Sequence, residues 1–284
     1  DLGKSNVSVF SVQHQEQNPT QTIHHQILLV DLSYSMSWAL HNPNLLAEHV
    51  LNWLSSLDAN TYASVIAYSG HGESKQVITG VQCNPISLKM AKVEETIRAA
   101  FAPIGVTVMS EPLEKSLEQV KAVADICDVH SVVLFTDGCL VPSQWSVKVE
   151  KEKCFKVAEI CRDQGIHLHA IGYGHYYDRE FLEELINVAG NGVVIHSEEL
   201  KDFEQQVRDI SYSTGRMVPV DLSVVFSAGE MTKVINASTA IAYDADVAST
   251  SGIVIKSLPR SGKIYFGVLH TSNDVPKAII NGVE

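Results

Sequence analysis

The sequence predicts an α/β fold: a doubly wound, mostly parallel sheet flanked by helices, with a small all-β, sandwich-like second unit. Three observations predict it. Largely apolar runs at residues 27–30 and 131–135 fit strands buried on both faces, and each stops abruptly at a polar turn. Strand and helix patterns alternate through residues 23–212 with short links, the sequence form of a parallel sheet covered by helices. From about Thr214 apolar and polar residues alternate between turns, and no helical stripe appears.

Taken in order, residues 1–22 hold one alternating run at 7–12, read as a strand, and a Gln/Asn-rich link. Residues 23–30 form the first buried strand. Asn42-Pro43 opens a helix with the apolar stripe Leu46, Val50, Trp53, Leu54 and Leu57. Residues 63–68 are a strand, Ser69-Gly70-His71-Gly72 a turn, and 75–78 a more polar strand suited to a sheet edge. Ser87 is expected to cap a helix striped by Met90, Val93, Ile97 and Phe101. Ser110 is expected to cap another, striped by Leu113, Leu117, Val120 and Ala124. After the strand at 131–135 come a helix near 151–164 ended by Gly165, a strand at 166–171, and a helix capped by Asp178 that stops at Gly190. A strand at 193–195 precedes a last helix striped by Leu200, Phe203, Val207 and Ile210. Strands at 218–226, 233–235, 241–247, 252–257 and 263–270 make the all-β part. So short a β unit is marginal alone, so the strand at 7–12 is expected to complete it. The expected organisation is therefore 1–22 as strand and link, 23–212 as the α/β domain and 213–284 as the all-β domain.

Composition narrows the function. The chain has 284 residues and is 45% apolar, enough for a sizeable core. No run approaches the ~18–20 apolar residues of a membrane span. A net charge of −12 disfavours nucleic acid and anionic membranes as partners. Cys83, Cys127, Cys139, Cys154 and Cys161 form no Cys-x-x-Cys pair, and Cys154 and Cys161 suit a helix's buried face. With polar opening residues that carry no signal-peptide pattern, this sets a cytoplasmic expectation against an extracellular alternative.

The chemistry concentrates at Asp31-Leu32-Ser33-Tyr34-Ser35. A carboxylate and two hydroxyls at alternate positions after a buried strand can turn toward one point, and such hard oxygen donors suit Mg²⁺ or Mn²⁺. Asp137 follows a second buried strand directly, and Thr107 lies in a Gly-containing loop before a helix. Open α/β sheets bind ligands at the carboxyl ends of their strands, so these three segments bring oxygen donors to one edge. Here residues 23–212 resemble the von Willebrand factor type A domain family, through Asp31-Leu32-Ser33-Tyr34-Ser35-Met36, Thr107 and Thr136-Asp137-Gly138. Ile171-Gly172-Tyr173-Gly174, followed by Asp178 and Phe181-Leu182, is similar to the family's later strand and helix. The resemblance implies a metal-ion-dependent adhesion site holding Mg²⁺. Ser33 and Ser35 would ligate through hydroxyls, and Thr107 would join in a high-affinity arrangement. Asp31 and Asp137 would act mainly through ordered water, and a partner's Glu or Asp carboxylate would take the remaining position. Two positions depart from the family: Tyr34, where it most often has glycine, and Val106, where it often has the second glycine of Gly-Gly-Thr.

Other features carry blander readings. A haloacid-dehalogenase-like phosphatase would use Asp31 as nucleophile but needs a second carboxylate where Ser33 stands. His167-Leu168-His169 has metallohydrolase spacing without nearby carboxylates and reads as satisfied strand histidines. His24, His25 and His41 read as loop or strand-edge residues. Trp38 and Tyr173 are candidate contact aromatics on the rim, and burial is the competing reading for Trp38. Sequons at Asn6 and Asn236 matter only in a secreted chain. The functional expectation is a non-enzymatic, Mg²⁺-dependent protein-binding module within a larger intracellular assembly. The alternatives are a secreted or surface adhesin using the same site, and a metal-dependent phosphatase or hydrolase.

Overall fold

A computed structural model describes residues 6–13, 22–36, 43–102, 105–227, 231–237, 241–259, 263–271 and 276–282. The expectations for Ser37, Trp38, His41, Asn42 and Ser238, and most of the Gln/Asn-rich link, lie outside these residues. The chain divides into two units, residues 21–215 and a second built from 1–20 with 216–284.

The first strand, β1 (Asn6–Val12), belongs to the second unit. The α/β unit then runs β2 (His24–Asp31), α1 (Pro43–Ser56), β3 (Thr61–Tyr68), β4 (Lys75–Gln82), α2 (Pro85–Met90), α3 (Val93–Ala100), α4 (Ser110–Ala122), β5 (Val129–Thr136), α5 (Val147–Gln164), β6 (His167–Tyr173), α6 (Arg179–Ala189), β7 (Val194–Ser197) and α7 (Leu200–Thr214). Its six strands are ordered β4-β3-β2-β5-β6-β7, all parallel except the edge pair β3 and β4. The chain builds outward from β2 through β3 to β4, then returns to place β5 on the other side of β2. The strand order therefore reverses between β2 and β5, the place where such sheets bind ligands.

Every residue of β2 is buried, as a central strand covered on both faces requires. Leu28 and Val30 point into one core layer with Trp53 of α1 and Phe203 of α7. Ile27 and Leu29 point into the other, with Leu113 of α4, Cys154 and Cys161 of α5, and Phe181 of α6.

Local signals fail where a tertiary contact or a backbone break decides. The helix expected from Ser87 is two helices. Asn84 caps the first by accepting from the Ser87 amide (2.8 Å), and Lys92, at a φ of 50°, breaks the run before α3. Met90 consequently leaves the stripe and is exposed. Ser110 is the first helical residue of α4 rather than its cap; Met109 holds the cap position without a capping side chain. His24 and His25 are buried members of β2, not loop or edge residues.

The second unit consists of two antiparallel sheets. One is ordered β1-β12-β9-β10, with β9 (Met231–Asn236), β10 (Ile241–Asp244) and β12 (Ile264–His270). The other is ordered β11-β8-β13, with β8 (Met217–Ser227), β11 (Ile253–Pro259) and β13 (Lys277–Gly282). A common core joins them: the Phe226 ring of β8 lies 5.5 Å from both Phe10 of β1 and Phe266 of β12. β1 pairs with β12 along its whole length, from Asn6 opposite His270 to Val12 opposite Ile264. Two details differ from the sequence reading. Residues 247–251 form a single π-helical turn instead of ending a strand, and β13 is an additional strand.

Candidate functional site

Asp31 ends β2, and Val30 sits opposite Phe135 on β5, so Asp31 and Thr136 face each other at the carboxyl edge. The Asp31 carboxylate is buried, and the chain itself supplies donors to both of its oxygens. Oδ1 accepts from the Ser33 amide (2.8 Å) and Oδ2 from the Thr136 hydroxyl (2.6 Å). The first bond closes a tight Asx turn, which is why the loop doubles back at once. It brings the Ser33 and Ser35 hydroxyls within 3.0 Å of each other, with Ser33 buried and Ser35 exposed.

Two further loops close around this turn. The Tyr34 amide donates to the Gly105 carbonyl (3.3 Å), and the Val141 amide to the Thr107 carbonyl (3.0 Å). The Thr107 segment therefore lies between the Asp31 loop and the loop after β5. Asp137 folds its own Oδ1 onto the Cys139 amide (2.9 Å), helped by Gly138 at a φ of 73°. Its carbonyl accepts from the Asp178 amide (2.7 Å), which ties in the loop before α6. The structure thus brings Asp31, Ser33, Ser35, Thr107 and Asp137 to one edge of the sheet, at the point where strand order reverses.

Burial is the main cause that pushes Asp31 up from 3.8 to about 6; hydrogen bonds from Thr136 and Ser33 oppose it, and the Asp137 charge adds to it. Among the described residues neither carboxylate has a lysine or arginine ion-pair partner, and Lys151 on α5 reaches Asp178 instead (3.3 Å). Oxygen-only donors and two mutually repelling carboxylates without a protein cation fit a hard divalent ion. The same surroundings silence the nearby thiol: burial first, then Asp137 and Asp178, pushes Cys139 up to about 11. A shift in that direction favours the protonated thiol at neutral pH.

Sequence reasoning left three supporting residues without a role. Thr136 holds Asp31 directly. Tyr68 ends β3 opposite Asp31, and its phenol is pushed well above the usual range by burial and then by the Asp31 charge. Glu150 of α5 accepts from the backbone amides of Met109 (2.8 Å) and Ser110 (2.7 Å). Thr136 stands in the Thr136-Asp137-Gly138 motif but only strand register gives it this role, register alone points to Tyr68, and nothing local marks Glu150.

The other candidates separate from this edge. Tyr173 is a core residue packed on Phe135 (5.1 Å between rings), not a contact aromatic on the rim. His167 and His169 are stacked and buried, with His167 Nδ1 at 3.0 Å from the Asn191 carbonyl and the Val193 amide donating to His169 Nδ1 (3.3 Å). Among the described residues no group of three or more His, Cys, Asp or Glu side chains is arranged to hold a metal. The candidate centre, with two carboxylates and three hydroxyls, is of a different make-up. Exposed His71 lies beside Glu111 (3.6 Å) and meets the Trp145 ring edge-on at 5.2 Å. Asn236 is buried, which leaves its sequon unsuited to a glycan.

The von Willebrand factor type A domain model matches residues 27–211. Curated proteins give no match. Among solved structures, a von Willebrand factor type A protein from Catenulispora acidiphila is similar at a TM-score of 0.75 and 11% identity, covering 100% of this chain and 66% of that one. Human COPII-coat protein Sec24c reaches 0.56 at 15% identity, covering 97% and 43%. The pilus adhesin SpaC from Lactobacillus rhamnosus GG, in its open conformation, reaches 0.51 at 13% identity, covering 94% and 40%. At these identities the likeness shows the fold alone. The chain spans just under two thirds of the first of these proteins and less than half of the other two.

Proposed function

Since the chain belongs to the von Willebrand factor type A family, whose members often serve protein–protein interaction or adhesion, we propose that it is a metal-dependent protein-binding module. Asp31, Ser33, Ser35, Thr107 and Asp137 would hold Mg²⁺, with Mn²⁺ as a substitute. The bound ion would supply a positive charge that attracts a Glu or Asp carboxylate of a partner protein. The observation that carries this reading is the buried Asp31 carboxylate beside Asp137, with the Ser33 and Ser35 hydroxyls close by and, among the described residues, no lysine or arginine paired with either carboxylate.

The chain's own part is positional. Thr136 and the Ser33 amide fix Asp31, and the Asx turn presents the two serine hydroxyls on one side. With only the neutral Ser33, Ser35 and Thr107 hydroxyls ligating directly, and Asp31 and Asp137 acting mainly through water, the ion would keep much of its charge, which favours an anionic partner over a neutral one. The module acts by binding and not by turnover, inside a larger assembly. A cytoplasmic setting belongs to the same proposal, supported by five unpaired cysteines of which four are buried.

Calorimetric titration of Mn²⁺ into the wild type and Asp31→Ala tests the reading. Binding by the wild type and at least tenfold weaker binding by the variant, with unchanged circular dichroism, is the expected pattern. Equal affinity in the two proteins would sink it. Partners recovered from native lysate with Mg²⁺ should be released by EDTA and absent with Asp31→Ala.

A further inference from the structure

Building on the metal-binding reading, we propose that Glu150 is the positioning residue for Thr107, acting from α5 through the first amides of α4. Helix α4 begins without a local cap, because a methionine occupies the cap position. Its first donors are left for a group elsewhere in the chain to satisfy. Glu150, fully buried and forty residues away, takes them: Oε1 accepts from the Met109 amide (2.8 Å) and the Ser110 amide (2.7 Å). Oε2 accepts from the Ser110 hydroxyl (3.0 Å) and from the Trp145 indole N–H (2.7 Å). With the weaker Cys154 thiol contact to Oε1 (3.9 Å), five donors converge on one carboxylate, so it has one place to sit and α4 has one place to start.

Thr107 lies two residues before Met109. The residue between them, Val108, has a buried side chain and an amide that donates to the Ser69 carbonyl (2.8 Å). Little slack remains between the Glu150 grip and the Thr107 hydroxyl. A shift of α4's first turn is therefore a shift of Thr107 relative to the two serines. The family's Gly-Gly-Thr is replaced here by Gly105-Val106-Thr107, and Glu150 supplies from outside the order that a shorter-armed local cap would give. Among the described residues no hydrogen bond joins Glu150 to a candidate ligand, so its effect passes through the first turn of α4.

The test uses the whole chain, with Glu150→Asp as perturbation and Glu150→Gln as control. Aspartate keeps the charge and loses the reach of one methylene. Glutamine keeps one carbonyl oxygen able to accept both amides, gives up the Trp145 bond, and leaves the Ser110 hydroxyl to turn and accept from its NH₂. Amide hydrogen exchange on the metal-free protein reads the grip itself. Exchange at residues 107–110 should accelerate at least tenfold in Glu150→Asp and less than threefold in Glu150→Gln, with β2 and β5 unchanged. Mn²⁺ calorimetry should show affinity falling at least fivefold in the aspartate variant, with recovery in the glutamine variant. Unchanged exchange at 107–110 in Glu150→Asp overturns the inference, as does accelerated exchange with Mn²⁺ affinity within twofold of wild type. Were wild type to bind no Mn²⁺, the metal reading would fail, and the exchange result alone would still decide whether Glu150 fixes the Thr107 segment.

Discussion

Three buried histidines and one half-buried should make the α/β unit acid-sensitive by an amount that follows from their surroundings. His25, His130, His167 and His169 lie on β2, β5 and β6. Burial, the first cause in every case, holds His25 and His169 down to about 3 and His130 and His167 down to about 4. The folded chain thus keeps them neutral, whereas an unfolded chain protonates histidine near pH 6.5. Between those limits the unfolded state binds more protons, so stability drops as pH falls from about 6.5 toward 3–4. One such histidine costs about 2 kcal/mol at pH 5, from about 1.4 kcal/mol per pH unit. Asp31 works in the opposite sense. Its raised folded value, about 6, favours the folded state on acidification and offsets about 1.4 kcal/mol at pH 5. The balance is a loss of at most about 7 kcal/mol, comparable with the whole stability of many domains, about 5–15 kcal/mol. Trp38, Trp53 and Trp145 all fall in the α/β unit, so tryptophan fluorescence during urea unfolding reports on that unit. The stability difference between pH 7 and pH 5 should shrink by about 2 kcal/mol in His169→Gln, which keeps an acceptor for the Val193 amide. A wild type equally stable at both values, or a variant with the full loss, would refute the reasoning.

Three further outcomes follow from single contacts. Gly105→Ala should destabilise by about 2–4 kcal/mol in urea unfolding. Its φ of 72° strains a Cβ, which would also push Glu73 off the Ser69 hydroxyl (2.6 Å) and the Gly70 amide (2.8 Å). Asp178→Ala removes the acceptor for the Phe181 amide (3.1 Å) at the start of α6 and should cost about 1 kcal/mol, read as a lower urea midpoint at unchanged slope. Phe266→Ala empties the centre of the second unit's core and should cost that unit about 3–5 kcal/mol, visible as lost amide-exchange protection on β9 and β12.

Elements whose signal is carried by their own residues were legible in the sequence. The apolar run through 27–30 gave β2, Gly165 and Gly190 gave the ends of α5 and α6 by their left-handed φ, and Asp178 gave a cap. Elements decided by distant partners were not. The break at Lys92 follows no proline or glycine, and β13 reads as a weak run because two of its isoleucines, Ile279 and Ile280, face outward. His24 and His25 look like surface residues by type. In the fold they open a central strand, where His25 finds the Ser64 hydroxyl (2.9 Å) and the His130 ring (3.4 Å).

The candidate site divides along the same line. Asp31, Ser33 and Ser35 are close in sequence, and an Asx turn is a local event, so their meeting can be foreseen from spacing alone. What makes the turn hold a buried carboxylate is not local. Thr136 reaches Asp31 because β5 pairs with β2 in one register; a slip of one residue would turn its hydroxyl to the opposite face. A serine before the apolar stripe looked like α4's cap, yet the helix starts at that serine and the cap is Glu150 from α5. A motif therefore announces where oxygen donors gather. Whether they are held well enough to grip an ion depends on residues that are not themselves candidate ligands, Thr136 and Glu150 among them, and those are the ones whose replacement should change affinity without touching a ligand.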